Sequence, residues 1–154
     1  LFRSDQFYGT LANASGYYRG KKDHVDIYVP EKSQELVVTY VQEQRRTATV
    51  FERDKAASAN PYDVFFGGNH GLMQLDTAQS GKRLLVIKDS YANCFLPFLI
   101  PYYKSITVVD PRYYYDDLDK LIEEQGIQEI LFLYNANTFF SDDSLNEILK
   151  KEVK

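Results

Sequence analysis

The sequence predicts an α/β domain built on a parallel β-sheet, and three observations favour this fold class. Apolar runs at 83–88 and 105–110 have the continuous hydrophobic character of strands that are buried on both faces. A third apolar run, at 127–135, predicts another strand. Helix-like segments separate these runs, and consecutive strand–helix–strand units pair in parallel with right-handed crossovers. We therefore expect a sheet with helices on both faces, which is a three-layer arrangement.

The chain is expected to form a single domain over residues 1–154, because its length suits one hydrophobic core and is short for two. Its two parts differ in pattern, since 1–80 is β-rich whereas 81–154 alternates strand and helix. We expect the β-rich part to form hairpins and a small sheet beside the main one. The predicted strands of this part are the runs rich in β-branched and aromatic residues at 24–30, 35–41, 47–52 and 62–68.

Three helices are predicted in the second part, at 91–103, 114–126 and 142–154. Pro101 closes the first helix, because proline lacks a backbone donor and restricts the residue before it. The second helix is amphipathic and stops at Gly126, a residue type that often ends helices. The third is expected to be capped by Ser141 or Asp142.

Composition and charge exclude several classes of function. The net charge is -4 and the Lys and Arg residues are scattered, so the sequence lacks the basic stripe that nucleic-acid binding requires. The single cysteine rules out an intramolecular disulfide and a thiolate metal site. The sequence has no cluster with metal-ligand spacing and no glycine-rich phosphate loop, so we predict no metal, no cofactor and no nucleotide ligand. The 13 tyrosines suit both strand faces and sugar-lined clefts.

Polar residues follow each predicted strand of the parallel sheet. The tripeptide Lys-Asp-Ser at 88–90 ends the first strand, Asp-Pro-Arg at 110–112 ends the second, and Asn135 ends the third. Because ligands of such sheets bind outside the carboxyl ends of the strands, these groups are expected to line one edge. The glycine-rich segment 67–71 (GGNHG) ends another predicted strand and could join them.

Ser90 has two interpretations. On a tight turn from strand to helix, a serine hydroxyl projects clear of the sheet, and the backbone N–H groups that follow can stabilise an oxyanion, which favours a nucleophile. A serine or an aspartate at such a point also commonly caps the helix, and capping is the more frequent role. The residues alone leave both interpretations open.

Five further residues are candidates for the same site. Asn69 lies among glycines that permit close approach to a ligand, and its amide could donate to an oxyanion, although a glycine-rich turn explains it equally well. His70 suits a general base because the ordinary pKa of histidine is about 6.5. Arg112 could bind an anionic substrate with two hydrogen bonds or form a surface salt bridge. Asp89 and Asn135 could order partners or a substrate, but these residue types also form caps and turns.

Five blocks of the sequence resemble the DHHW family of bacterial proteins, over about residues 1–145. The family is similar to a branch of the SGNH-hydrolase superfamily close to the alginate O-acetyltransferases. The resemblance implies an SGNH-hydrolase-like fold for acyl transfer or ester hydrolysis, in which the serine of the DSY block, Ser90, is the nucleophile. It also implies that Arg112 of the DPRYY block lies near the active site. The blocks are VIKDSYANCFLPFLIPYY, ITVVDPRYY, FYGTLANASGYY, FFGGNHGLMQL and LYNANTFF.

The sequence departs from the family pattern in two respects. The Asp-His-His-Trp block, which the resemblance places upstream and which supplies the histidine base, is absent, and the chain contains no Trp. We expect the chain to be a C-terminal fragment that starts after this block. In addition, Lys88 stands where SGNH enzymes usually have the glycine of Gly-Asp-Ser. Since serine needs a neighbouring base to become nucleophilic, the fragment is expected to be incomplete and inactive by itself.

The function predicted from this resemblance is a serine-dependent acyl esterase or O-acyltransferase. Its substrates would be small acyl esters, such as acetyl groups, on a cell-surface glycan, and its location would be extracytoplasmic, in the cell envelope or secreted. Missing upstream strands would leave an exposed sheet edge through which the chain could dimerise. The alternative is a non-catalytic module with a degenerate hydrolase fold, whose tyrosine-rich cleft binds a glycan or a protein.

Overall fold

The computed structural model describes residues 2–9, 12, 15–29 and 35–150, and the chain divides into two compact units. The first unit comprises 1–34 and 50–68, and the second comprises 35–49 and 69–154. Both units therefore draw on residues of the β-rich N-terminal part.

The first unit contains a two-stranded antiparallel sheet of β1 (Phe2–Phe7) and β2 (Asp23–Ile27). Strand β2 confirms most of the strand predicted at 24–30, whose last residue lies outside the described residues. Two 3₁₀ turns, Arg53–Ala57 and Pro61–Val64, belong to the same unit.

The strand predicted at 62–68 is wrong. Proline at the start of the turn Pro61–Val64 favours a helical rather than an extended backbone. Phe66, Gly67 and Gly68 then have φ values of 63°, 80° and 126°, which no regular strand can accommodate. The run at 47–52 is likewise mostly irregular, and Phe51 forms only an isolated bridge with Phe65.

The second unit is built on a six-stranded sheet with the order β4-β3-β5-β7-β6-β8. Strand β6 pairs in parallel with β7 on one side and with β8 on the other, which confirms the parallel pairing predicted for the second part of the chain. The sheet as a whole is mixed, because β4, β3 and β5 continue it from β7 in antiparallel pairs. The strands are β3 (Leu36–Tyr40), β4 (Arg45–Thr47), β5 (Leu72–Thr77), β6 (Arg83–Lys88), β7 (Ser105–Val109) and β8 (Glu129–Leu133).

Strand β5 was not expected from the sequence, and it is the reason that the sheet is mixed. Its residues, LMQLDT, include few β-branched or aromatic side chains, so propensity gives little signal. Leu72, Met73 and Leu75 are nevertheless buried, because β5 lies between β3 and β7. Burial in the middle of the sheet thus stabilises a strand that its own residues do not favour.

The core of the second unit surrounds the central strands. All side chains from Leu84 to Lys88 on β6 are buried, as the continuous apolar run predicted. Leu118 and Leu121 of helix α2 (Leu118–Gln125) join one face of this core. Strand β8 lies at the edge of the sheet, and its Ile130 and Phe132 are each 47% exposed.

The helical segment predicted at 91–103 is broken into three pieces. A 3₁₀ turn (Ser90–Cys94), helix α1 (Leu96–Leu99) and a second 3₁₀ turn (Ile100–Tyr102) follow one another. Pro97 and Pro101 lack the backbone donors that a continuous helix would need.

Helix α2 starts four residues later than predicted, where the Asp117 carboxylate accepts from the Lys120 backbone N–H at 3.0 Å. It ends at Gly126 with a φ of 58°, as the sequence indicated. Helix α3 (Ala136–Ser141) was not predicted. Helix α4 (Ser144–Leu149) begins after Asp143, and the carboxylate of Asp142, one of the two expected cap residues, accepts from the Ser144 backbone N–H at 2.8 Å. Residues 151–154 of the last predicted helix lie outside the described residues. No helix in the described part of the chain is long and apolar enough to cross a membrane.

Replacing Tyr134 with phenylalanine is expected to raise the free energy of unfolding by about 1–2 kcal/mol, because a buried polar group without a partner costs stability. The Tyr134 hydroxyl is buried and has no hydrogen-bond partner among the described residues. Burial raises the pKa of Tyr134, and the carboxylates of Asp110 and Asp89 raise it further. Urea denaturation followed by circular dichroism would measure the change.

Tyr114 provides the matched control for this substitution. Its hydroxyl lies 3.3 Å from the Asp117 carbonyl oxygen, so Tyr114→Phe should lower stability by about 1 kcal/mol. Destabilisation by Tyr134→Phe as well would mean that the Tyr134 hydroxyl has a partner in solution.

Candidate active site

The carboxyl ends of the three parallel strands meet at one edge of the second unit. In the register of the sheet, Ile87 of β6 lies beside Val109 of β7, and Lys88 of β6 lies beside Leu133 of β8. The start of β5 lies at the same edge, because Leu72 pairs with Val109. The edge therefore brings together the residues that follow β6, β7 and β8 with those that precede β5.

Asp89 organises the turn after β6. One carboxylate oxygen of Asp89 accepts from the Tyr91 backbone N–H at 2.9 Å, which caps the 3₁₀ turn Ser90–Cys94. The other oxygen accepts from the backbone N–H and the side-chain amide of Asn135, at 3.0 and 2.7 Å. The capping role that was open for Ser90 or an aspartate thus belongs to Asp89, and Ser90 is the first residue of the turn.

Asn135 caps the next helix and is bound to the first cap. Its side-chain oxygen accepts from the Thr138 backbone N–H at 3.0 Å, at the start of α3. Because Asn135 also donates twice to Asp89, the starts of the two helical segments are joined through a single buried carboxylate. Asn135 therefore lies at this edge of the sheet, and its side-chain polar atoms bind Asp89 and the start of α3.

Asn69 lies beside the turn that Ser90 begins. Its side-chain oxygen accepts from the Asn93 side-chain amide at 3.2 Å and from the Lys88 ammonium at 3.4 Å. Asn93 is buried in the turn Ser90–Cys94, three residues after Ser90. Asn69 therefore contacts Lys88, two residues before Ser90 at the end of β6, and Asn93, three residues after Ser90 in the turn.

A buried ion cluster lies behind this turn. The Asp110 carboxylate accepts from Arg112 Nε at 2.9 Å and from an Arg112 terminal nitrogen at 2.6 Å, and Lys88 Nζ lies 3.4 Å from it. The side chains of Lys88 and Asp110 are fully buried, whereas that of Arg112 is partly exposed. Arg112 is therefore held at the edge by a bidentate contact, the geometry in which guanidinium–carboxylate pairs are strongest.

The charges in this cluster shift the pKa values of both cations. Burial lowers the pKa of Lys88, and the neighbouring Asp110 carboxylate opposes this by favouring the ammonium form. The hydrogen bonds to Asp110 raise the pKa of Arg112, which keeps the guanidinium charged. Asp110 is thus the group that makes two adjacent cations tolerable in a buried location.

His70 contacts residues of β3 and of the connection that follows it. Its Nδ1 lies 2.6 Å from a Glu43 carboxylate oxygen, and its ring packs edge-on against Tyr40 of β3 with centroids 4.6 Å apart. Burial acts to raise the pKa of Glu43, but the hydrogen bond with His70, a backbone hydrogen bond and the charges of His70 and Arg45 together lower it. A carboxylate bound to Nδ1 is the contact that orients the imidazole of a general base, so the general-base role of His70 stays a prediction.

Two residues at the site were missed as functional candidates. Asn93 is a buried amide within an otherwise apolar helical segment. Its position three residues after Ser90 is the sequence feature that could have identified it as a candidate. Lys88 was noted only as a departure from a family pattern, although a lysine at the end of a buried strand must find an acidic partner. The described residues include no group of three or more His, Cys, Asp or Glu side chains that could hold a metal ion.

Exposed aromatic side chains follow Ser90 along the broken helical segment. They occur at 91, 95, 98 and 102, the spacing that places residues on one side of a helix. Tyr91 and Phe98 are each about two-thirds exposed, and the rings of Phe95 and Phe98 lie 6.5 Å apart. No charged residue occurs between 90 and 103, so the segment that carries these rings is uncharged.

Comparison with known proteins identifies similar structures. No protein-family model matches the chain, and no curated protein matches it. Bacillus cereus PatB1 has a related fold: its structure with a sulfonyl adduct matches with 22% identity, a TM-score of 0.63, and coverage of 79% of this chain and 44% of that chain. Another PatB1 structure matches with 23% identity, a TM-score of 0.59, and coverage of 77% and 41%.

A DHHW family protein from Eubacterium siraeum has a TM-score of 0.80 and 26% sequence identity to this chain. The match covers 97% of this chain and 53% of that protein, so the chain spans about half the length of the matched protein. Nearly the whole chain is therefore similar in structure to a DHHW family protein.

Proposed function

We propose that Ser90 is the nucleophile of an acyl esterase or O-acyltransferase with a three-layer, SGNH-hydrolase-like fold related to the alginate O-acetyltransferases. The observation that supports this proposal is the position of Ser90 as the first residue of a turn directly after the buried strand β6. Asp89 caps that turn, and the Asn69 amide lies beside it. A hydroxyl at a sharp strand-to-helix junction with an amide alongside supplies two parts that serine acyl transfer needs, a nucleophile and an oxyanion donor.

In the proposed reaction, Ser90 Oγ attacks the acyl carbonyl carbon and forms a C–O bond, while the carbonyl π electrons move to the oxygen. The Ser90 backbone N–H and the Asn69 side-chain NH₂ would donate to this oxyanion. Collapse of the intermediate expels the alcohol, which takes the proton that the base removed from Ser90. Water or a second alcohol then attacks the acyl-serine ester, which gives hydrolysis or transfer.

The base in this proposal is a histidine of the upstream Asp-His-His-Trp block that the DHHW resemblance implies. The chain itself has two histidines, His24 and His70. His24 lies on β2 of the first unit with Asp26 at 3.4 Å, and His70 is paired with Glu43. We therefore propose that the chain reacts slowly by itself and needs a supplied base.

The substrate and location belong to the same proposal and rest on the resemblance. Small acyl groups, such as acetyl, on a cell-surface glycan would be the substrate, and the protein would be extracytoplasmic, in the cell envelope or secreted. Arg112 would bind an anionic group of the substrate with the guanidinium edge that faces away from Asp110. A mechanism of this kind uses no cofactor, metal or nucleotide.

The second candidate function is a non-catalytic module that binds a glycan or a protein. The aromatic surface at 91, 95, 98 and 102 favours it, because exposed aromatic rings are enriched in recognition surfaces. This candidate requires no base and no reactive serine. The reactivity of Ser90 therefore distinguishes the two.

The test is covalent labelling of Ser90 by an alkylsulfonyl fluoride, located by mass spectrometry. The choice of probe follows from the sulfonyl adduct present in one PatB1 structure. We expect slow labelling of this chain, faster labelling when imidazole is added as a replacement base, and fastest labelling in the full-length gene product. Ser90→Ala should abolish the adduct, whereas Ser141→Ala on α3 should leave it unchanged. If Ser90 remains unlabelled in every form, the binding module is the better interpretation.

A further inference from the structure

We propose that Lys88 is a positioning residue that, together with Asn93, fixes the side-chain amide of Asn69 so that its NH₂ group is available to an oxyanion at Ser90. The inference rests on the proposed function of Ser90. It assigns a role to the lysine that stands where related enzymes usually have glycine.

The donors around Asn69 determine the orientation of its amide. A lysine ammonium can only donate hydrogen bonds, so the Asn69 atom 3.4 Å from Lys88 Nζ is the carbonyl oxygen. The Asn93 side-chain nitrogen donates to the same oxygen at 3.2 Å. With two donors on the oxygen, the NH₂ group of the planar amide points to the other side. A flipped amide would place donors against the ammonium.

The position of Asn93 indicates on which side of the turn this amide lies. Residues three apart eclipse each other in a 3₁₀ turn, and Asn93 is three residues after Ser90 in the turn Ser90–Cys94. A side chain that contacts Asn93 therefore lies along the same side of the turn as Ser90. Asn69 occupies this place through its contact with Asn93.

The ion cluster determines where the Lys88 ammonium lies. The Lys88 side chain is fully buried, and Nζ lies between Asp110 and Asn69, at 3.4 Å from each. Arg112 holds the Asp110 carboxylate with two hydrogen bonds. The amide of Asn69 is thus connected through Lys88 to a rigid group on the neighbouring strand end. A glycine at this position would leave only the Asn93 contact.

Lys88→Met removes the ammonium while it keeps an unbranched side chain, and the first readout is NMR of the Asn69 side-chain amide. In the unchanged protein we expect one dispersed pair of Asn69 NH₂ signals and a high order parameter of the side-chain amide, about 0.8 or more. In Lys88→Met the amide oxygen loses one of its two donors, and the order parameter is expected to fall below about 0.6. Lys82→Met, at an exposed lysine that pairs with Glu129, should leave the order parameter unchanged.

The second readout is the rate constant of Ser90 sulfonylation in the full-length protein, measured with the same probe. Asn69→Ala and Lys88→Met should each lower it by roughly 10² because each removes one effective oxyanion donor. The double variant should be no slower than either single variant, since both act through the same amide. Lys88→Arg, which retains a buried donor, should recover part of the rate.

An unchanged Asn69 order parameter in Lys88→Met, or rate losses that multiply in the double variant, would overturn the inference. If Lys88→Met does not fold, Asn93→Ala removes the other donor to the Asn69 oxygen and is expected to lower the order parameter of the same side-chain amide. An unreactive Ser90 in every variant would contradict the proposed function alone, because the NMR readout needs no reaction. The two failures are therefore distinguishable.

Discussion

Replacing Ser90 with alanine in the full-length protein is expected to lower the turnover number for acetyl transfer or hydrolysis by roughly 10⁴- to 10⁶-fold, as loss of a serine nucleophile does elsewhere. The substitution removes the protein atom that forms a bond with the acyl carbon in the proposed mechanism. It leaves the cap intact, because the turn is held by Asp89 and not by the serine hydroxyl. The assay is release of p-nitrophenol from its acetate ester, with the fold checked by circular dichroism.

Two results would contradict this expectation. Equal turnover by Ser90→Ala and the unchanged protein would mean that another group carries the reaction. Absence of turnover in both, with an intact fold, would favour the binding module. Ser141→Ala is the matched control, because Ser141 lies on α3 and donates to the Asn137 carbonyl oxygen at 2.7 Å.

Asp110→Asn is expected to lower the free energy of unfolding by about 3–5 kcal/mol, because breaking a buried ion pair leaves an uncompensated charge. The Asp110 carboxylate is fully buried and forms ion pairs with both Lys88 and Arg112. Asparagine has the same shape, so loss of charge and not of packing is what the substitution tests. Urea denaturation at neutral pH would measure the change.

The matched control for Asp110→Asn is Glu129→Gln. Glu129 pairs with Lys82 on the exposed edge strand β8, and water screens such a pair. We expect little change in stability from this substitution. A loss of less than about 1 kcal/mol in Asp110→Asn would mean that Lys88 is neutral in the folded protein, since an asparagine oxygen can satisfy an uncharged amine. Such a result would also weaken the role that we infer for Lys88.

Parts of the fold could be predicted because their signals are local. The run 83–88 is apolar throughout, and a strand with no polar alternation must be buried on both faces. Gly126 ended a helix because only a residue without a side chain adopts a φ of 58° at little cost. The meeting of polar groups at one sheet edge followed from the parallel pairing of β6 with its neighbours.

Other parts depended on contacts between residues distant in the sequence. Strand β5 has weak propensity and forms because β3 and β7 bury it from both sides. The contact of His70 with Glu43, which lies in the connection between β3 and β4, joins residues 27 positions apart in the sequence. A local sequence pattern does not identify a partner that is distant in the sequence.

The sequence by itself determined the parallel strands, the serine at the end of β6 and the edge at which polar residues gather, because hydrophobic runs and chain order are local properties. Only the tertiary structure decided that Asp89 caps the turn of Ser90 and binds Asn135, and that Lys88 reaches both Asp110 and Asn69. A hydrogen bond or ion pair requires its partner within about 3 Å, and such proximity across the sheet arises from folding.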